Sequence, residues 1–180
     1  MNYARIKKYD IANGPGMRAS LYVSGCTHKC KGCFNEVAWD FNYGKKWTKE
    51  VEDELIEHLK QPEIKGLNVL GGEPLQQGYD LSIALKRIKE EVDKPIWLWT
   101  GYKLEDAIGF KHMMETLKYV DVLIDGQFEE DKKDITLKYR GSSNQRVIDL
   151  KSLFNSGMTV CTDEKGKVTI KPELKLLEGC

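Results

Sequence analysis

The sequence predicts an α/β fold with a mostly parallel sheet, open or only partly closed into a (β/α) barrel. Three observations carry this. Short apolar runs alternate with amphipathic stretches of helical length, the pattern of repeated βαβ units. A closed eightfold barrel takes ~250 residues, and the chain has 180. Beyond Leu150 the alternation stops, and two short apolar runs flank a polar turn.

Residues 21–23 (Leu-Tyr-Val) read as a strand running into Ser24-Gly25-Cys26. Residues 47–60 read as a helix, with Thr48 as N-cap and Val51, Leu55, Ile56 and Leu59 along one face. Residues 67–70 form a strand stopped by Gly71-Gly72, and residues 80–92 a helix with Leu81, Ala84, Leu85 and Ile88 on its face. Residues 96–99 (Ile-Trp-Leu-Trp) are the next strand. Residues 104–119 favour a helix that Gly109 weakens by about 1 kcal/mol, and residues 120–124 a strand closed by Asp125-Gly126. Residues 158–161 and 167–170 predict a small C-terminal hairpin around Asp163-Glu164-Lys165-Gly166. The expected organisation is one main domain, 1–150, with an extension over 151–180.

Composition narrows the function. The 28 Lys and Arg balance 28 Asp and Glu, so no broad field holds nucleic acid or an anionic membrane. No run approaches the ~18 apolar residues of a membrane span, and residues 1–5 lack the apolar stretch of a signal peptide. A cytoplasmic protein is expected. In that reducing setting five cysteines do not read as a disulfide framework, and three of them, Cys26, Cys30 and Cys33, fall within eight residues.

Spacings of four and three would put these thiols on one helical face, as in an ordinary core stripe. Gly25 and Gly32 bracket the segment, polar Thr27, His28, Lys29 and Lys31 fill it, and it follows a strand. A strand-end loop with converging thiolates fits better. Structural zinc takes four ligands, typically in two pairs; no second pair exists, and His28 lies between the cysteines it would have to join. Iron–sulfur cubanes usually take four cysteines. Three leave one iron open to a small chelating ligand.

This CxxxCxxC loop resembles that of the radical S-adenosylmethionine superfamily. The resemblance implies a [4Fe-4S] cluster on Cys26, Cys30 and Cys33, S-adenosyl-L-methionine on the open iron, and an open partial barrel of the radical SAM type. It also implies that Gly32, Cys33 and Phe34 border the adenine. Gly71-Gly72-Glu73-Pro74 resembles the superfamily's methionine-binding turn, with Gly72 giving the ligand backbone space; Gly72→Val is then expected to weaken cofactor binding and leave the metal loop intact. Glu73 either contacts the ligand or orders the turn.

Residues 13–18 (Asn-Gly-Pro-Gly-Met-Arg) and 21–26 (Leu-Tyr-Val-Ser-Gly-Cys) are similar to the signature of glycyl-radical-enzyme activases, with Tyr22 in place of the usual Phe. Residues 97–102, 121–126 and 140–146 are similar to segments of the activases that serve anaerobic ribonucleoside-triphosphate reductases. That resemblance implies an enzyme that cleaves S-adenosylmethionine reductively and leaves a glycyl radical on such a reductase. A flavodoxin-like or other small redox protein would supply the electron. A radical enzyme acting on a small molecule, an activase of another glycyl radical enzyme and a zinc-binding interaction module are the other classes. Trp97 and Trp99 also read as plain core, and Arg140 and Arg146 as solvated charge. His58, His112 and the pairs Lys7-Lys8, Lys45-Lys46 and Lys132-Lys133 carry no functional reading, nor do Cys161 and Cys180.

Overall fold

The computed structural model describes the backbone of residues 1–162 and 168–171 and the side chains of residues 1–158. Cys180 and the predicted turn residues 163–166 lie outside the described residues, as does the Cys161 side chain. Seven strands make one open sheet: β1 (Asn2–Asp10), β2 (Arg18–Val23), β3 (Lys45–Lys46), β4 (Leu67–Gly71), β5 (Ile96–Trp99), β6 (Val122–Asp125) and β7 (Arg146–Asp149), in the order β3-β1-β2-β4-β5-β6-β7. Parallel pairing is confined to β2, β4, β5 and β6. Antiparallel β1, β3 and β7 flank them, so the sheet is parallel at its centre and reversed at both margins. The C-terminal hairpin is present as β8 (Thr159–Thr162) paired with β9 (Val168–Lys171).

Helices α1 (Lys49–Leu59) and α2 (Tyr79–Glu91) stand where their periodicity predicts. The Thr48 hydroxyl caps α1 by accepting from the Val51 amide. Leu55, Ile56 and Leu59 are buried beneath it, each contributing about 2 kcal/mol relative to an exposed side chain. The predicted helix over 104–119 is two pieces, α3 (Leu104–Ala107) and α4 (Lys111–Leu117), interrupted at Gly109. A last helix, α5 (Leu150–Asn155), puts Leu150 and Leu153 into the same core. Among the described residues no helix is long and apolar enough to cross a membrane.

Strand alternation sorts side chains onto two faces. Ala19, Leu21 and Val23 of β2, Leu67 and Val69 of β4, Ile96 and Leu98 of β5, and Leu123 of β6 join the helices in the main core. Their neighbours line the other face. There Trp97, Val122, Ile124 and Val147 form a smaller cluster with Trp99 and Tyr139. Residues 126–145, the connection from β6 to β7, lie against it: the Trp99 indole donates to the Tyr139 carbonyl at 2.6 Å, and Tyr139 stacks edge-on to Trp97.

At the N-terminal ends of the strands that face is polar. Buried Arg18 donates through Nε to Asn68 (2.6 Å) and through Nη2 to the carbonyls of Leu67 and Pro95, stapling the starts of β2, β4 and β5. Burial lowers its pKa to about 10, against the field of Asp121, so it stays charged at neutral pH. Asn68 donates to Ser20, and Ser20 to Asp10 at 2.6 Å. His58 is structural, with Nε2 at 2.7 Å from the Lys8 carbonyl.

Asp10 is fully buried. Burial alone would raise its pKa, but hydrogen bonds from Ser20, Asn13, the Ala12 amide and Lys7 hold it at about 2. A depressed carboxylate contributes stability that is present above the unfolded value of about 3.9 and lost as pH falls through the folded value. Acid titration of the unfolding free energy should therefore lose about 2 kcal/mol between about pH 5 and pH 2 through this group, and Asp10→Asn should flatten that stretch of the curve. An unchanged slope in the variant would remove Asp10 from the account.

Candidate cofactor site

Parallel pairing brings the C-terminal ends of β2, β4 and β5 to one edge of the sheet, the usual ligand edge of an open α/β fold. Their outgoing turns enclose a cavity of about 340 Å³. Cys26, Cys30 and Cys33 line it from the loop after β2, Gly71-Gly72-Glu73 from the turn after β4, and Thr100-Gly101 from the turn after β5. Leu70 and Trp99 line it from the sheet, and Phe128, Ile135 and Leu137 from the 126–145 connection.

The cysteine loop is held by backbone. The Gly25 amide donates to the Ala38 carbonyl (2.8 Å) and the Cys26 amide to that of Trp39 (3.1 Å). From the other side, Gly72 N–H donates to Val23 (2.8 Å) and Glu73 N–H to Gly25 (2.7 Å). Gly25 has φ +98° and lies under the Phe41 ring, where a Cβ would collide. A Cβ on Gly72 would stand 2.5 Å from the Gly25 carbonyl oxygen. The space Gly72 leaves is thus filled by the cysteine loop itself, which corrects the expectation that Gly72→Val would spare that loop. The side chains of Gln76 and Gln77 add a second clamp. Gln77 donates to the Ser24 carbonyl, while Gln76 accepts from the Thr27 amide and donates to the hydroxyls of Thr27 and Tyr102.

Glu73, 1% exposed, is the hub. One carboxylate oxygen accepts from the Leu75 amide (2.9 Å) and the Thr100 hydroxyl (2.7 Å), the other from the Gly101 amide (2.7 Å). His28 Nε2 lies 3.1 Å from that second oxygen, close but not aligned as a hydrogen bond, with its ring edge-on to Tyr102. These bonds tie the Glu73 turn to the turn after β5.

Cys26, Cys30 and Cys33 are free thiols, each half-buried. Burial pushes the Cys26 thiol above its ordinary value; the backbone of His28 and Lys29 opposes this, while Glu73 and Cys30 add to it. A bound cationic centre reverses that preference and deprotonates a coordinating thiol. Among the described residues no three His, Cys, Asp or Glu are gathered for a single ion. A soft all-thiol donor set spread along a loop beside a cavity suits an iron–sulfur group.

Gly32, Cys33 and Phe34 also border the cavity, with the Phe34 ring almost wholly in solvent. Arg140 and Arg146 are not solvated charge. Arg140 donates to the Gln145 carbonyl, and Arg146 is bonded to both Asp125 and Glu105, which raise its pKa. Gln145 in turn accepts from the amides of Gly141 and Ser142 and donates to Gly126, folding the connection over the site. Thr100 and Gly101 fall in the 97–102 segment already singled out, whereas Trp39, Phe128 and Ile135 had no signal in the sequence; topology alone brings those three here. Lys133, read as plain surface, also lines the cavity.

Residues 12–148 match the model of a family described as a 4Fe-4S single cluster domain. The chain is 44% identical over 153 residues to the anaerobic ribonucleoside-triphosphate reductase-activating protein of Vibrio cholerae, covering 82% of this chain and 97% of that one. It is 44% identical over 152 residues to the protein of that name from Escherichia coli K12 (82% and 97% covered), and 45% over 150 residues to that of Enterobacteria phage T4 (82% and 93%). The chain belongs to the family of anaerobic ribonucleoside-triphosphate reductase-activating proteins.

Two substitutions test the site's construction. Glu73→Ala leaves Leu75 N–H, Thr100 O–H and Gly101 N–H without their acceptor and should cost about 3 kcal/mol in urea unfolding; a loss under about 1 kcal/mol would contradict the hub. Gly72→Ala should displace the cysteine loop and lower the iron held per chain after anaerobic reconstitution. Full iron loading in that variant would show that the loop tolerates the collision.

Proposed function

We propose that this chain is a radical S-adenosylmethionine activase that generates a glycyl radical on an anaerobic ribonucleoside-triphosphate reductase. In this reading the open seven-stranded sheet is a partial barrel of the radical SAM type, residues 1–150 form the activase domain, and residues 151–180 are an extension outside the chemistry. Cys26, Cys30 and Cys33 hold the [4Fe-4S] cluster, Gly32, Cys33 and Phe34 border S-adenosylmethionine, Gly72 lets the cysteine loop pack against its turn, and Glu73 acts by fixing the turn. The bound cluster supplies the electron that breaks a carbon–sulfur bond of S-adenosylmethionine. The electron comes from a flavodoxin-like or other small redox protein, in the cytoplasm.

The observation that carries this reading is the meeting of three free thiols with the Gly71-Gly72-Glu73 turn on one cavity. The chain's own contribution is placement. Glu73 keeps three strand-end turns in fixed relation, and Leu70, Trp99 and Phe128 make most of the cavity wall apolar, which keeps water from a reactive centre. The names of the relatives supply the protein substrate.

Replacing Cys26, Cys30 or Cys33 by Ala should each abolish cluster binding, read as iron and sulfide per chain after anaerobic reconstitution, while Cys161→Ala should leave both unchanged. The loaded wild type with dithionite should release 5′-deoxyadenosine, and with the reductase present should give a glycyl-radical signal in electron paramagnetic resonance. A colourless zinc protein, or cleavage without any radical on the reductase, would defeat the assignment.

A further inference from the structure

Ile135 and Phe34 are 90% and 89% exposed, the two most exposed large apolar side chains among the described residues. Both line the cavity, Phe34 from beside the cysteine turn and Ile135 from the 126–145 connection. Neither position is a loose tip. Ile135 is carried on a hydrogen-bonded turn in which the Asp134 carboxylate accepts from the Thr136 amide (2.8 Å) and hydroxyl (2.6 Å). The base of that turn is closed by a bridge between Lys133 and Ser142 and by Ser143 N–H donating to Lys132. The backbone is organised to present an isoleucine to water at the mouth of a cavity, an unfavourable arrangement in the free chain that a partner's surface would relieve.

A small ligand in the cavity, walled by Leu70, Trp99 and Phe128, meets Phe34 and Ile135 on the sides that line it. At 89% and 90% exposure most of each side chain still faces outward, where a protein segment laid across the mouth would cover both. Resting on the activase reading above, we propose that Phe34 and Ile135 are the two apolar jaws that grip the reductase segment carrying the reacting residue, seating it across the mouth of the cavity. Charge at the rim is mixed, with Lys31 paired to Glu130 at 3.3 Å and Lys133 near Asp134, so the grip is apolar at its centre and polar at its edge, the usual anatomy of a protein interface.

Ile135 is the residue to vary, because Phe34 stands among the proposed cofactor contacts. Ile135→Asp and Ile135→Leu are compared with wild type, each reconstituted anaerobically. Three quantities are read: 5′-deoxyadenosine formed with dithionite in the absence of reductase, affinity for the purified reductase, and glycyl radical formed. Ile135→Asp is expected to bind the reductase about tenfold more weakly or worse and to lose radical yield at limiting activase, with a much smaller change in uncoupled cleavage; Ile135→Leu should match wild type in all three. Unchanged affinity in Ile135→Asp would overturn the proposal. So would a parallel fall in uncoupled cleavage, which would put Ile135 in the cofactor pocket, or a change only in self-association, which would make the occupant a second copy of this chain. Wild type that cleaves S-adenosylmethionine but never binds the reductase would defeat the activase reading itself, whatever the variants do.

Discussion

One buried carboxylate holds the working end of this protein together. Parallel strands spaced about 4.8 Å apart deliver their outgoing turns side by side, but adjacency alone does not fix three turns against one another. Glu73 joins two of them with its carboxylate, taking hydrogen bonds from its own turn and from Thr100 and Gly101 in the turn after β5, and reaches the third through its backbone amide. A buried charge costs several kcal/mol unless it is fully hydrogen-bonded, and here the compensating donors are the groups the site needs fixed. The Glu73 amide holds the Gly25 carbonyl at the head of the cysteine loop. The head of the cysteine loop is therefore tied to the turn between the second and third parallel strands, in addition to its bonds to Ala38 and Trp39.

How far the sequence foretold this depends on the range of the signal. Residues 67–70 and 96–99 are short apolar runs, and both became strands of the parallel centre. The α1 stripe and its Thr48 cap are local as well. β1 was invisible because five of its nine residues, Asn2, Arg5, Lys7, Lys8 and Asp10, are polar, so it lacks the apolar run that marked its neighbours. The helix over 104–119 was read as continuous because its periodicity survives Gly109, although its hydrogen bonding does not. In the site, Cys26, Cys30, Cys33 and the glycine turn were legible because each group lies within a few residues. Gln76, Trp39 and Phe128 carry no local mark, and only the folded topology recruits them.

The segment similar to the activase signature divides between the two ends of the sheet. Residues 21–26 lead into the cysteine loop, but residues 13–18 sit at the opposite end, where the strands begin. There Asn13 donates to Asp10, its carbonyl accepts from Asn68 at 2.5 Å, and Arg18 spans to Leu67 and Pro95. This half of the signature is a polar brace for the parallel strands. Its bonds hold the starts of β2, β4 and β5 together, at the end of the sheet away from the cavity.

The main core and the cysteine loop share almost no atoms. Leu21, Val69, Leu98 and Leu123 are sealed under the helices, and the three thiols hang from a loop secured by backbone carbonyls and glutamine side chains. Small metal-dependent domains whose ligands are also their core unfold when the metal leaves. Here the residues that would hold the metal group are not the residues of the core, so exchanging a thiol for another side chain alters the loop and leaves the packing under the helices as it was.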